Sequence, residues 1–222
     1  MSVPRVGVLA LQGDFARHLA SLEALGVDVQ RIVRPEDLAD VDALVLPGGE
    51  STTMTRLLDA HRLREPLTRF AREQPVLGTC AGLILLGRES ERLPGPPLGV
   101  LDATVERNGY GRQVDSFTAE VTSPVVGGWF PGVFIRAPRI RRVGPGVEVI
   151  AHLTPGPGKA AAEPVGVRRG QAVGLCFHPE LTGDLRFHRW FLGQVAGLEL
   201  PGSAAGENGV RGAAEPVPEG TP

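Results

Sequence analysis

Apolar positions in the first part of the chain fall into short continuous runs separated by stretches of helical spacing. Val6 to Leu11 is unbroken until Gln12-Gly13-Asp14 interrupts it; Phe15, Leu19, Leu22 and Leu25 then recur at helical intervals, and Gly26 stops the helix. Val27 to Val33 alternates as a strand would. Pro35 to Asp40 suits a short helical turn, and Ala43 to Leu46 is a brief apolar run closed by Pro47-Gly48-Gly49. Capping side chains at Glu50-Ser51-Thr52-Thr53 precede Met54, Leu57 and Leu58. A further helix is expected over Glu65 to Glu73, before Val76-Leu77 opens a strand that runs into Cys80. Strands alternating with helices at this spacing predict an α/β fold in three layers, a mostly parallel or mixed central sheet flanked by helices.

From about residue 98 the texture changes. Shorter runs at Leu98 to Val105, Ser116 to Val121, Val133 to Ile135, Val147 to Ala151 and Val165 to Val167 are divided by Gly, Pro and charged turns. They read as antiparallel hairpins added to the parallel core. Ala172 to Phe177 is another strand, and Asp184 to Val195 carries Leu185, Trp190, Phe191 and Val195 as a last amphipathic helix. The expected organisation is one domain over residues 1–200 and a low-complexity, disordered tail over 201–222, which is rich in Gly, Pro and Ala and poor in large apolar residues.

Composition narrows the function classes. The 222 residues are 42% hydrophobic and 22% charged with a formal net charge of -2, and the basic residues are dispersed, which argues against nucleic acid as a partner. No apolar stretch approaches the roughly 20 residues that span a bilayer, so no membrane association is expected. Two cysteines, Cys80 and Cys176, are too few for a disulfide framework, and the N-terminus has no secretory pattern; the expected setting is the cytoplasm.

In an open α/β sheet, ligands bind outside the carboxyl ends of the strands. Four polar features fall at such ends: Gln12-Gly13-Asp14, Gly48-Gly49-Glu50-Ser51, Cys80 and His178-Pro179-Glu180. Gly78-Thr79-Cys80-Ala81-Gly82 has the spacing of a nucleophile elbow with sulfur in place of oxygen. A helix starting near Ala81 aims its positive end at the sulfur and favours thiolate. A buried small hydrophobe is the bland alternative for a cysteine, and the flanking glycines weigh against it here; Cys176, inside a strand, is assigned to core packing. Of five histidines, His178 ends an apolar strand, and Glu180 two positions on projects from the same side of an extended chain held by Pro179, so it can orient the imidazole. His18, His61, His152 and His188 are assigned surface or structural roles. Gly48-Gly49 offers backbone amides for an oxyanion hole with the amide of Ala81, although an ordinary turn suits the same residues equally. Glu50 could bind a cationic group.

Together these residues resemble the class I, triad-type glutamine amidotransferases, which have a flavodoxin-like fold. The class rests on Gly-Thr-Cys-Ala-Gly followed by His-Pro-Glu. A narrower resemblance, to the glutaminase subunits of pyridoxal 5′-phosphate synthase, rests on VGVLALQGDFARHLASLEALG, LPGGESTT, VERNGYGRQVDSF and FIRAP. The resemblance implies Cys80 as nucleophile on the side-chain amide of glutamine, His178 as base and then acid toward ammonia, and Glu180 as its orienting partner. It further implies that Gln12, Gly48, Gly49, Glu50, Ser51, Arg107, Ile135 and Arg136 line the glutamine site, with Glu50 near the α-ammonium, an Arg on the α-carboxylate and Gln12 beside the oxyanion region. No metal or cofactor is implied. Ammonia would pass to a separate barrel synthase subunit that condenses it with ribose 5-phosphate and glyceraldehyde 3-phosphate in vitamin B6 biosynthesis, and the glutaminase would be weak until bound. The rival readings are a glutaminase or other Cys-His hydrolase of this fold serving another pathway, and a non-catalytic binding subunit.

Overall fold

The computed structural model describes residues 3–110, 116–154 and 162–201. The expected tail beyond residue 201, and residues 155–161 of the Pro-Gly loop, lie outside the described residues.

The first half follows the apolar pattern closely. β1 (Arg5–Leu9), α1 (Phe15–Glu23), β2 (Asp28–Ile32), β3 (Ala43–Leu46), α2 (Ser51–Ala60), α3 (Arg64–Glu73), β4 (Val76–Thr79) and α4 (Ala81–Leu86) succeed one another, with a 3₁₀ turn at Pro35–Leu38. Every residue of β3 and β4 is buried, because helices cover both faces of a parallel sheet and leave no solvated side for polar residues.

The second half supplies β5 (Gly87–Glu89), β6 (Leu101–Glu106), β7 (Ser116–Ser123), β8 (Gly128–Ile135), β9 (Arg139–Val143), β10 (Glu148–Leu153), β11 (Glu163–Arg169), β12 (Ala172–Leu175) and α5 (Arg186–Trp190). Among the described residues one nine-stranded sheet has the order β2-β1-β3-β4-β12-β11-β10-β7-β8. Its first five strands pair parallel and the remainder antiparallel. The hairpins are thus continuations of the core sheet through β12, which lies parallel to β4 and antiparallel to β11.

Three features differ from the sequence reading. β5 and β9 were not foreseen, being short or dominated by arginine; with β6 they form a separate three-stranded sheet in which β5 runs parallel to β6. The last helix is shorter than the periodicity predicts: α5 passes at Phe191 into a π turn over Phe191–Val195. The expected extended backbone at Pro179 is instead a 3₁₀ turn, Pro179–Leu181. The order β2-β1-β3-β4 reverses direction between β1 and β3, so the crevice beyond their carboxyl ends is the place where an α/β sheet opens to a ligand.

Candidate active site

Cys80 stands between β4 and α4 with φ 49 and ψ -101, a conformation that residues with a Cβ rarely adopt. Glycine on either side makes this turn possible. A Cβ on Gly78 would lie 2.6 Å from the carbonyl carbon of Gly82, and one on Gly82 would lie 2.1 Å from the backbone oxygen of Leu46. Backbone therefore packs against backbone on both sides of the cysteine. The Cys80 amide donates to the Leu175 oxygen at 2.8 Å, tying the elbow to β12, and the thiol donates to the Ile135 oxygen at 3.8 Å. Ala81, fully buried, opens α4 and carries one of the amides that a helix start leaves without an intrahelical acceptor.

His178 follows β12, and its amide donates to the Val133 oxygen at 2.8 Å, which anchors it to β8. Its Nδ1 meets Glu180 Oε1 at 2.7 Å inside the protein. The 3₁₀ turn, with His178 as its N-cap, brings the two side chains together, in place of the extended chain expected. Burial pushes the His178 imidazole down, but the neighbouring Cys80 and Glu180 outweigh it, and the proton affinity is raised. For Glu180, burial pushes upward and is overcome by His18 and His178, leaving the carboxylate ionised well below its usual range. Nε2 of His178 is buried with no hydrogen-bond partner among the described residues. A general base with an unoccupied nitrogen, next to a thiol and backed by a buried carboxylate, is equipped to take a proton from sulfur and return it to a leaving group.

The glycine loop after β3 closes the other wall. A Cβ on Gly48 would lie 2.2 Å from Cε1 of His178, so the loop lies flat against the imidazole. Gln12 Oε1 accepts the Glu50 amide at 2.9 Å, and a Cβ on Gly49 would lie 2.6 Å from that same oxygen. Gln12 thus sets the shape of the glycine loop.

A cavity of about 310 Å³ joins these parts. Gln12, Gly48, Gly49, Glu50, Ser51, Cys80, Arg107, Ile135, Arg136 and His178 all line it, so residues expected from four strand ends and from the FIRAP stretch converge. Asp14, Ile84 and Asn108 line it too and were not singled out in the sequence. The carboxylate of Glu50 caps α2, as the Glu50-Ser51-Thr52-Thr53 pattern predicts, accepting from the amides of Thr52 at 3.0 Å and Thr53 at 2.6 Å, from the Thr53 hydroxyl at 2.7 Å and from Arg107 at 3.2 Å. Arg107 is committed likewise, donating to the Arg92 oxygen at 2.9 Å and to Thr52 Oγ1 at 2.9 Å. Arg136, with φ 41, is exposed at the cavity rim. Cys176 is fully buried, as core packing requires.

Comparisons with known proteins agree with this geometry. The model of the SNO glutamine amidotransferase family matches residues 8–197. The pyridoxal 5′-phosphate synthase subunit PdxT of Rhodococcus opacus (strain B4) is 48% identical over 202 residues, covering 89% of this chain and all of that one. The protein of the same description from Geobacillus kaustophilus is 46% identical over 200 residues, covering 90% of this chain and 98% of that one. A crystal structure of a glutamine amidotransferase superposes with a TM-score of 0.78 at 45% identity, covering 87% of this chain and 99% of that one. PurLQS from Thermotoga maritima, at 16% identity and a TM-score of 0.66, shares the fold.

Proposed function

The chain belongs to the SNO glutamine amidotransferase family, and from that premise we propose that it is the glutaminase subunit of a pyridoxal 5′-phosphate synthase, hydrolysing L-glutamine to L-glutamate and ammonia in the cytoplasm. The observation that carries the reading is Cys80 on a glycine-flanked elbow beside the His178–Glu180 pair, at the floor of a cavity sized for a small molecule.

The chemistry follows from the placement. His178 Nε2 takes the Cys80 proton and the thiolate attacks the side-chain amide carbon of glutamine. The oxyanion forms against backbone amides of the Gly48-Gly49 loop and Ala81. The imidazolium gives its proton to the departing nitrogen, ammonia leaves, and a glutamyl thioester remains on Cys80. Water, deprotonated by His178, attacks that thioester; glutamate departs and the thiol is restored. Glu180 fixes the imidazole tautomer and stabilises its cationic form.

Substrate contacts divide according to what each side chain is already doing. With Arg107 bonded to Glu50, Thr52 and Arg92, the exposed Arg136 is the better partner for the α-carboxylate of glutamine. Ser51, Ile135 and the glycine loop shape the rest. In the free subunit the thiol donates to the Ile135 oxygen, which supports a resting glutaminase that docking of a barrel synthase activates.

Glutamine labelled with ¹⁵N in its amide tests the pathway. With the barrel synthase, ribose 5-phosphate and glyceraldehyde 3-phosphate, the label should enter pyridoxal 5′-phosphate even against excess unlabelled ammonium. Complete dilution of the label would detach this glutaminase from that synthase and favour another acceptor.

A further inference from the structure

Two histidines that the chemistry above leaves unused lie behind Glu180, His18 beside its second oxygen and His188 beside His18. His18 on α1 and His188 on α5 are both fully buried. His18 Nδ1 is 3.1 Å from His188 Nε2, with the rings edge-on. Its other nitrogen, Nε2, lies 3.1 Å from Thr79 Oγ1 and 3.3 Å from Glu180 Oε2. Thr79 is the better aligned of the two and the carboxylate the stronger acceptor. By geometry the hydrogen bond of Nε2 goes to Thr79, and Oε2, though 3.3 Å from Nε2, is buried with no hydrogen-bond partner among the described residues.

Two neutral arrangements fit the hydrogen-bonded pairs, either Thr79 donating to His18 Nε2 with Nδ1–H on His188, or Nε2–H on Thr79 with His188 donating to Nδ1, and only the second offers a proton to the carboxylate. A carboxylate only accepts, so the nitrogen facing it carries the proton. With His18 neutral, its Nδ1 is then an acceptor, and His188 must donate to it from Nε2. That leaves His188 Nδ1 without a proton, and this atom is buried with no partner among the described residues. Burial pushes the His188 pKa down to about 3, so no cation competes there. A buried carboxylate with a single aligned donor would carry a large desolvation cost and be free to turn. His18 Nε2 stands at ion-pair distance from that oxygen, and its bond to Thr79 ties it to the residue next to Cys80.

We propose that His18 is a positioning residue for the glutaminase reaction: its Nε2–H holds Glu180 Oε2 and Thr79 in one relation, so that Oε1 stays aimed at His178. His188 sets the tautomer of His18. The proposal rests on the assignment of Glu180 as orienter of His178.

The test compares His18→Gln with His18→Asn in the complex with the barrel synthase. Gln places its amide nitrogen close to the position of Nε2, whereas Asn falls short of Glu180. Loss of a hydrogen bond to a charged group, realised in the transition state, corresponds to about a 10- to 100-fold drop in rate. His18→Asn should show that drop in kcat with KM nearly unchanged, and His18→Gln should recover most of it. Combined with Glu180→Gln, His18→Asn should cost nothing further, because no carboxylate is left to hold. Equal kcat in the two His18 variants, wild-type kcat in His18→Asn, or full additivity with Glu180→Gln would overturn the proposal. If neither His18 variant folds, His188→Leu against His188→Gln reads the same device one step out, with loss expected only for Leu and equal kcat counting against it. A Glu180→Gln enzyme with wild-type turnover would sink the triad reading itself, and the His18 proposal with it; the His18 pair tests the second independently.

Discussion

At Gly48 there is no room for a methyl group, because the imidazole of His178 occupies the space. Gly48→Ala should therefore fold, since the position is in a loop, yet move His178 out of reach of the thiol. A displacement of about 1 Å costs on the order of 100-fold in rate, and glutamate release by the complex should fall by about that much; unchanged release would mean that His178 does not act from its present position. Arg136 and Arg107 make opposite predictions. Arg136→Ala should raise KM for glutamine about 10-fold, the loss expected for one charged hydrogen bond, with kcat little altered. Arg107→Ala should instead lower thermal stability, since it removes the guanidinium that bridges Glu50 and the Thr52 hydroxyl to the Arg92 carbonyl. Steady-state kinetics and melting curves on the two variants would reverse the assignment if the effects were exchanged. The elbow glycines, the thiol and the His-Pro-Glu sequence were all legible as residues, because each is a local device whose reason lies within a few positions. His18 was not: its partner His188 is 170 positions away, and nothing near it in sequence distinguishes it from a core histidine.

Elements show a similar division. The cap that opens α2 was readable from Glu50-Ser51-Thr52-Thr53, but a cap and a ligand contact use the same carboxylate, and in the structure the cap takes both oxygens. Burial pushes the Glu50 carboxyl up, and the hydrogen bonds from Thr53 and Thr52 outweigh it, lowering the pKa from 4.5 to about 2. A depressed folded-state pKa contributes stability that is present above the unfolded value and is lost as pH falls through the folded one. Glu50→Gln should thus cost up to about 1 kcal/mol at neutral pH, the usual worth of an N-cap, reduced by screening because the side chain is partly exposed. The difference from wild type should shrink as pH falls from 4.5 toward 2; urea unfolding across that range checks it, and a gap that persisted at the acid end would assign the stabilisation to something other than the charged cap. The 3₁₀ turn at Pro179–Leu181 was missed because proline fits both an extended chain and the first position of a tight turn, and the pattern of side chains does not separate them.

At the level of the whole molecule, the parallel half of the sheet was legible because strands buried on both faces must be continuous apolar runs, as in β3 and β4. The antiparallel half was legible as strands but not as an arrangement. Glu163 pairs with Arg139, and β12 lies beside β4, through contacts between distant segments that local pattern does not encode. That arrangement matters to the site: β8 reaches the elbow through Ile135 and holds His178 through Val133, so the far end of the chain closes a cavity begun by β1 and β3. A single nine-stranded sheet therefore brings Gln12, Gly48, Cys80, Ile135 and His178 to one edge. The central claim, that this edge is a cysteine glutaminase serving a partner, is tested most directly by glutamate release from glutamine, measured for wild type and Cys80→Ala with and without the barrel synthase. The account predicts strong release only from wild type with the partner present. Release by Cys80→Ala at the wild-type rate in that complex would contradict it.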